Sequence, residues 1–325
     1  MPINLKNFIK EMNNFGKNGI PFLFIIDYEM INPEIFTFSE AAKSKVFFSV
    51  KGLRNFKDEI FDEKPLHFVK NPVDYAAYHT AFKKILEQIK LGNTFLLNLT
   101  FPTEIDTNWE LRRIFEKSSA PYRLLYKDRF VLFSPECFMQ ISNGIISSFP
   151  MKGTIDASIK DAASVIVADE KEKAEHATIV DLIRNDLSMV ASNVTVERYR
   201  YLEGITTHEK SLLQVSSEIS GNLPSDYRSN LGTIVCQLLP AGSICGAPKA
   251  STLKIIKETE GYQRGYYTGV FGVFDGMNLY SAVMIRFIEI EDGKFYYKSG
   301  GGITMNSDPE KEYRELIDKV YVPTY

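Results

Sequence analysis

The sequence predicts an α+β protein, antiparallel β-sheets layered with helices, and three observations predict it. Strand-like and helix-like segments do not alternate as regular βαβ units, which argues against a parallel sheet. Tyr280 to Ile290 and Lys294 to Lys298, joined by Glu291-Asp292-Gly293, read as a hairpin, an antiparallel element by construction. Two clear helices, Asp169 to Val190 and Pro309 to Val320, stand apart from the strand-rich stretches.

Taken in order, Phe22 to Ile26 is a continuous apolar run ended by Asp27 and Asn32-Pro33, the pattern of a buried strand. In Asn71 to Leu91, Tyr75, Tyr78, Phe82, Ile85 and Ile89 recur at steps of three and four, which predicts an amphipathic helix stopped by Gly92. Residues 1–70 are expected to form an N-terminal layer of the same unit, and residues 71–325 its catalytic core. Phe130 to Phe133 and Cys137 to Ile141 are strands flanking Ser134-Pro135-Glu136, where the proline breaks the ladder.

A chain of 325 residues with 44% hydrophobic and 24% charged content buries a large core, so disorder is excluded. The 38 basic and 41 acidic residues nearly balance, which leaves no nucleic-acid footprint and favours a small-molecule partner. Met1 to Phe15 is polar and argues against a secretory signal, and no run approaches the roughly 20 apolar residues of a membrane span. Cys137, Cys236 and Cys245 are odd in number and widely spaced, so neither a disulfide framework nor a CxxC zinc site fits. A cytoplasmic location, without membrane or nucleic-acid partners, is the expectation.

Several residues carry chemistry in their placement. On a wheel of 100° per residue, Ile179, Val180, Ile183 and Leu187 share one face of the helix from Asp169, and Glu172 and Glu175 fall on or beside it. A carboxylate there is paired, protonated or metal-bound, or else it complements the helix dipole; both readings stand. In the last helix Ser307 and Glu310 have capping-box spacing, with Pro309 in the first turn. Tyr313, Leu316, Ile317 and Val320 form its stripe, while Glu312 and Glu315 stand off it. Read alone these two acids form a solvated face, with Glu315 and Lys319 at ion-pair spacing. Read together, the two ExxE pairs are oxygen donors of the kind Mg²⁺ takes. Arg286, alternating with Met284 and Ile288, needs an anion, from the protein or from a ligand. Gly300-Gly301-Gly302 is a carboxylate nest or an ordinary tight turn. The glycines of Pro240 to Lys249 precede a helix running to about Glu260, a place suited to anions, although no Walker, Rossmann or HExxH order is present. Lys152, by itself, reads as a solvated surface lysine.

In this order the segments resemble the chorismate-utilising family that includes anthranilate synthase component I. The resemblance covers residues 72–322 and rests on Ser134-Pro135-Glu136, Pro150 to Thr154, Ala174-Glu175-His176 with Val180 to Asp186, Pro240 to Ser243 with Gly246 to Lys249, Arg264 to Gly269, Ile285-Arg286, Gly301 to Ile303 and Asp308 to Glu315. It implies that family's fold, with the active site in a cleft between two interleaved sub-layers. It further implies Mg²⁺ held by Glu175 and Glu315 with support from Glu172 and Glu312, and Glu136 as the acid that protonates the departing C4 hydroxyl of chorismate. Ser243, Tyr267, Arg286, Lys319 and the amides of Gly301 and Gly302 would bind substrate.

Within the resemblance two positions sort the branches. Water-adding members carry a lysine base four residues after the glycine that ends the early helix, and here that position is Leu96. Members that aminate chorismate at C4 carry a lysine nucleophile where anthranilate synthases have alanine, and here that position is Lys152. The resemblance therefore implies amination at C4, with anthranilate formation as the alternative, and ammonia from a separate glutamine amidotransferase subunit. The chain departs from the family at Leu213, where a histidine is usual and the nearest histidine is His208, and at Ile155 and Cys245. It also lacks the LLES-type motif of tryptophan-inhibited members.

Overall fold

Phe22–Ile26 is a strand with every side chain buried, and its alternate residues enter different cores. Phe22, Phe24 and Ile26 point into one cluster and Leu23 and Ile25 into another, so the strand has no solvent face. At about 1.5–3 kcal/mol per fully buried large apolar side chain, these five contribute on the order of 10 kcal/mol of transfer free energy. The computed structural model containing this strand describes residues 3–206 and 211–324.

Two nine-stranded sheets, antiparallel in every pair, build the fold. The first runs Met151–Asp156, Ser211–Asn222, Ile145–Ser148, Cys137–Ser142, Leu279–Val283, Val270–Phe274, Phe22–Ile26 and Glu34–Thr37, with Ser192–Thr206 paired to Ser211–Asn222. The second runs Gly246–Ala247, Leu96–Thr107, Lys294–Ile303, Phe287–Glu291, Phe130–Ser134, Tyr122–Tyr126, Val46–Val50 and Leu53–Arg54, with Phe68–Asn71 paired to Leu96–Thr107. Leu23, Ile25, Phe271 and Ala282 of the first sheet meet Val46, Phe48, Leu132 and Phe287 of the second in one core, so the sheets stack face to face. Helices Ile3–Lys17, Glu170–Ser188 and Leu231–Gln237 cover the outer face of the first sheet. Helices Tyr75–Lys90, Leu111–Lys117, Lys249–Thr259 and Pro309–Asp318 cover the second. The class is α+β, as the absence of βαβ alternation implies.

Three expected elements are redrawn. Residues 1–70 are divided between the sheets: two of their strands extend the first sheet, and the rest pair in the second. Tyr280 to Ile290 is two strands, Leu279–Val283 in the first sheet and Phe287–Glu291 in the second, because the chain leaves one sheet for the other between them. The hairpin itself forms, and its second strand continues through all three glycines to Ile303, so Gly300 to Gly302 is strand and not a turn.

Helix ends follow their caps. Asp74 accepts the N–H of Ala76 at 3.2 Å and starts Tyr75–Lys90; Gly92, at φ 76°, follows its end. Asp169 accepts the N–H of Glu172 at 2.9 Å and starts Glu170–Ser188. The last helix is capped by Asp308, which accepts from Glu310 and Lys311, rather than by Ser307, whose hydroxyl takes the N–H of Thr304 at 3.1 Å.

One buried ion pair ties these elements around the cleft. Arg264 is 1% exposed, and its Nε donates to Glu260 Oε2 at 2.8 Å while a terminal nitrogen donates to Oε1 at 2.6 Å. The remaining guanidinium donors reach the carbonyls of Ile244 and Asn98 and the Thr268 hydroxyl, and Glu260 Oε1 also accepts the N–H and hydroxyl of Thr100. Truncating the acid strands a desolvated guanidinium, whereas the intact pair has every charge matched. Glu260→Ala is expected to lower unfolding free energy by about 3–5 kcal/mol, read from urea denaturation.

Candidate active site

The segment Ser134-Pro135-Glu136 carries the chain from the second sheet to the first, and Met284-Ile285-Arg286 carries it back. The two crossings run side by side. Phe133 N–H donates to the Arg286 carbonyl at 3.1 Å, and Val283 N–H donates to the Glu136 carbonyl at 3.2 Å. Proline at 135, with no N–H to give a ladder, suits such a departure. Arg286 takes a left-handed backbone, φ 52°, and Thr268, whose N–H donates to Met284 O, does so at φ 62°. A bulky residue held there costs about 1–3 kcal/mol, and such strain gathers at functional sites.

Where the sheets part, a cavity of about 560 Å³ opens. Its walls bring together residues more than 180 positions apart: Glu136, Lys152, Glu175, Ser243, Arg286 and Glu315 all line it, with Glu172, Tyr267, Glu312 and Lys319. The helix Glu170–Ser188 presents two acids from one side and Pro309–Asp318 two from the other, while Lys152 comes from the edge strand Met151–Asp156. Of the residues expected to act on the substrate or to bind substrate or metal, Gly301 alone is absent from this lining, although it lies beside it.

Glu136 accepts a hydrogen bond from the Ser243 hydroxyl, and its own N–H is held by Ser134 Oγ at 3.1 Å. Burial pushes its carboxyl above the ordinary glutamate range, against the lowering effects of Ser243 and of the Lys152, Arg286 and Lys319 charges. A carboxyl whose pKa is raised this way is better suited to donate a proton than an ordinary glutamate.

Arg286 decides between the two anions left open by the sequence. No carboxylate among the described residues pairs with it, and its Nε is buried without a hydrogen-bond partner. The ring of Tyr321 lies 5.5 Å from its guanidinium. A half-buried arginine with no carboxylate partner among the described residues, set along a cavity wall, is suited to an anionic ligand.

Two of the four acids are shielded, whereas the Glu315 side chain stays 50% exposed, as its place off the apolar stripe implies. Glu175 is 8% and Glu312 3% exposed. Lys152 Nζ lies 3.4 Å from Glu175 Oε2, so this lysine is inside the cleft and not on the outer surface. The Glu315–Lys319 pair forms at 2.6 Å as its spacing implies, but it faces the cavity, and Lys319 also donates to the Gly300 carbonyl at 2.8 Å. Burial lowers the Lys319 pKa, opposed by Glu315. Among the described residues no three acids, histidines or cysteines converge closely enough to grip a metal as they stand. The donor set still fits Mg²⁺: four carboxylates face two lysines, leaving a formal charge of about −2 for a divalent cation of oxygen-ligand preference.

The glycine strand runs between these groups. A Cβ on Gly302 would lie 3.2 Å from Lys152 Nζ and 3.1 Å from Leu96 Cδ1, and one on Gly301 would lie 3.6 Å from both Glu312 and Glu315. Asn98 and Thr100, opposite Gly302 and Gly300, turn their N–H groups away to Cys245 O and Glu260 Oε1. By the alternation of an antiparallel pair, Gly301 is then the residue that bonds Leu99 within the sheet, and Gly300 and Gly302 turn their amides to the open edge. Of the two amides expected to bind substrate, Gly302 is available and Gly301 is spent on the ladder.

Sequence reasoning passed over Lys298, Gln214 and Tyr321, which also line the cavity. Lys298 is 2% exposed and paired with Glu289 at 3.0 Å; a lysine on an otherwise aromatic strand next to three glycines was its only signal. Leu213, at the position of the missing histidine, sits between cavity-lining Leu212 and Gln214 and so turns to the opposite face. His208 lies outside the described residues. Ile155 pairs with Leu213, and Cys245 is buried with its Sγ 3.9 Å from the Tyr28 hydroxyl.

Residues 39–324 match the family of chorismate binding enzymes. The chain belongs to that family. It is therefore an enzyme that acts on chorismate. The chain is 49% identical over 322 residues to a PabA-like protein of Pasteurella multocida, covering 99% of each. It is 32% identical over 252 residues to anthranilate synthase component 1 of Acetivibrio thermocellus, covering 73% of this chain and 50% of that one. With aminodeoxychorismate synthase component 1 of Bacillus subtilis it shares 29% over 266 residues, covering 77% and 55%. The chain thus spans about half the length of these two synthases. The menaquinone-specific isochorismate synthase of Escherichia coli has the same fold, with a TM-score of 0.73 at 14% identity over 97% of this chain and 80% of that one.

Because Arg286 has no protein anion to lose, Arg286→Met is expected to leave the melting temperature at or above the parental value while weakening chorismate binding by about 10- to 100-fold, the worth of a charge-assisted hydrogen bond. Calorimetric titration and thermal unfolding of the same preparations read the two effects.

Proposed function

We propose that this chorismate-binding enzyme aminates chorismate at C4 to aminodeoxychorismate, with Lys152 as covalent nucleophile, Mg²⁺ as cofactor and ammonia supplied by a separate glutamine amidotransferase. The observation that carries the reading is the position of Lys152: its amine points into the cleft beside Glu175 and the Gly302 strand, where anthranilate-forming relatives are expected to have only a methyl group. Leu96 supports it from the opposite side, since an apolar side chain stands where the water-adding branch is expected to keep a base.

In this reading Lys152 first loses its ammonium proton to solvent, its freed amine attacks C2, the ring double bonds shift, and the C4 hydroxyl departs with the proton supplied by Glu136. Ammonia then bonds to C4 and gives up a proton while the C2–Nζ bond breaks, returning Lys152. Arg286 and the Gly302 amide hold the carboxylates, and Tyr267, 3% exposed beside Arg286, closes the wall. Glu175 and Glu315, with Glu172 and Glu312, would hold Mg²⁺, whose contribution is to fix and neutralise a substrate carboxylate. Among the described residues the thiols of Cys137, Cys236 and Cys245 are all pushed up by burial, the opposite of what a glutaminase nucleophile needs, in keeping with a partner subunit.

A second reading, anthranilate formation with loss of pyruvate, is favoured by the higher identity to an anthranilate synthase, 32% against 29%. Purified chain incubated with chorismate, Mg²⁺ and ammonium salt separates them: aminodeoxychorismate, converted to para-aminobenzoate on adding its lyase, supports the first, and fluorescent anthranilate the second. Lys152→Ala is expected to lose C4 amination and, at high ammonia, to drift towards the anthranilate-type product, while mass spectrometry of quenched parent enzyme finds an adduct on Lys152. Parental rates of C4 amination in Lys152→Ala would exclude covalent catalysis. Glu175→Gln and Glu315→Gln are each expected to reduce turnover by at least about a hundredfold, with no recovery on adding ammonia, because metal and substrate carboxylate bind as a unit. Near-parental turnover at low Mg²⁺ in either variant would remove that residue from the ligand set.

A further inference from the structure

Two segments singled out in the sequence, Val180 to Asp186 and Gly246 to Lys249, contribute no group to the reaction proposed above, yet each places a charge behind the general acid. Lys249 Nζ lies 2.6 Å from Asp186 Oδ2, and the two side chains are only 20% and 14% exposed. Lys249 also donates to the Leu238 carbonyl at 3.2 Å. One ammonium thus fastens the beginning of the segment 238–249 to its end, and both to the helix Glu170–Ser188. Between those ends lies Ser243, the residue that donates to Glu136.

The same helix presses on the loop directly. A Cβ on Gly242 would fall 2.7 Å from Leu182 Cδ2 and 3.3 Å from Asp186 Oδ2, so Leu182 and Asp186, one turn apart, close over the residue before Ser243. Asp186 does not touch Glu136; both line a cavity of about 20 Å³, room for one water, which Ser148 and Ser243 share. Burial raises the Asp186 pKa and Lys249 opposes this.

We propose that Asp186 and Lys249 are a positioning pair that holds the Pro240–Cys245 loop so that Ser243 stays hydrogen-bonded to Glu136. The consequence is a set proton affinity for the acid. Glu136 is faced by Ser243 from the loop, Lys152 from the edge strand, Arg286 and Tyr267 from the return crossing and its neighbour, Lys319 from the end of the last helix, and Asp186 across the small cavity. Of these, Ser243 alone is placed by the Asp186–Lys249 pair. Its donated hydrogen bond favours the charged carboxylate, so release of the loop raises the Glu136 pKa. Direct electrostatics has the opposite sign: Asp186→Asn removes a negative charge and leaves Lys249 unmatched, both of which lower it.

The test is a ¹³C NMR titration of the Glu136 side-chain carboxyl, assigned with Glu136→Gln, in ligand-free protein. Ser243→Ala is expected to move the midpoint upward, Asp186→Asn upward by less because the lost charge opposes the shift, and the double variant no further than Ser243→Ala. Lys249→Arg, which keeps the cation, is expected to titrate like the parent. A downward or absent shift in Asp186→Asn overturns the proposal. If Asp186→Asn does not fold, Lys249→Met decides the matter: the lost cation raises the midpoint directly in either background, so a Lys249→Met shift smaller in Ser243→Ala than in the parent supports positioning, and equal shifts overturn it. The role of Glu136 as general acid is taken from the proposed function, but the titration is read without turnover. A proper shift in a chain that does not consume chorismate would sink that function and leave the positioning pair standing.

Discussion

Two backbone hydrogen bonds, Phe133 to Arg286 and Val283 to Glu136, join the places where the chain changes sheets, and the site depends on them. A strand that leaves its sheet forfeits ladder bonds, and buried backbone groups need partners. Here the two departures satisfy each other. The acid and the arginine that the chemistry needs are carried on that shared rung, so they keep their relation to each other while the helices that supply the carboxylates approach from either side. The left-handed backbone at Arg286 is tolerated because the rung and its neighbours over-determine it.

Around this rung the electrostatics is arranged in shells of different completeness. Arg264 has its carboxylate, two carbonyls and a hydroxyl, and it ties Leu96–Thr107, the Ser243 loop and the Thr268 turn into one frame. Lys298 has Glu289. Arg286, at the cavity wall, has no anion of its own among the described residues. A folded protein pairs its structural charges, and the contrast between a fully buried, paired Arg264 and a half-buried Arg286 without a carboxylate among the described residues is what supports the proposed anion site.

The helix Glu170–Ser188 links these shells. Its first turns bring Glu172 and Glu175 to the cleft, its middle buries Ile179, Val180 and Ile183 against the first sheet, and its last turn sends Asp186 to Lys249. A single rigid rod of about 28 Å, at 1.5 Å per residue, thus registers Glu172 and Glu175 against the loop whose Ser243 holds Glu136. Such a rod explains why residues that touch no substrate belong to the same sequence pattern as those that do.

The sequence by itself determined what local rules govern. Phe22–Ile26, the helices from Tyr75, Glu170 and Pro309, and the hairpin before the glycines follow from apolar periodicity, caps and turn residues acting over a few positions. Resemblance to a family named the substrate and the residues around it. What it left undecided was every question of direction. Glu312 looked solvated and Lys152 looked like a surface lysine, because helix and strand periodicity report burial against the element's own sheet and not against a cleft that another segment closes; Glu315 is as exposed as its position implies. The split of Tyr280 to Ile290 between sheets was invisible because both halves are apolar, and pairing partners more than a hundred residues away, Cys137–Ser142 for one half and Phe130–Ser134 for the other, decide where a strand ends. Only the tertiary structure set Gly302 and not Gly301 towards the cleft, left Arg286 without an anion, and joined Asp186 to Lys249. Those relations are distances between segments remote in sequence, and short-range pattern carries no information about them.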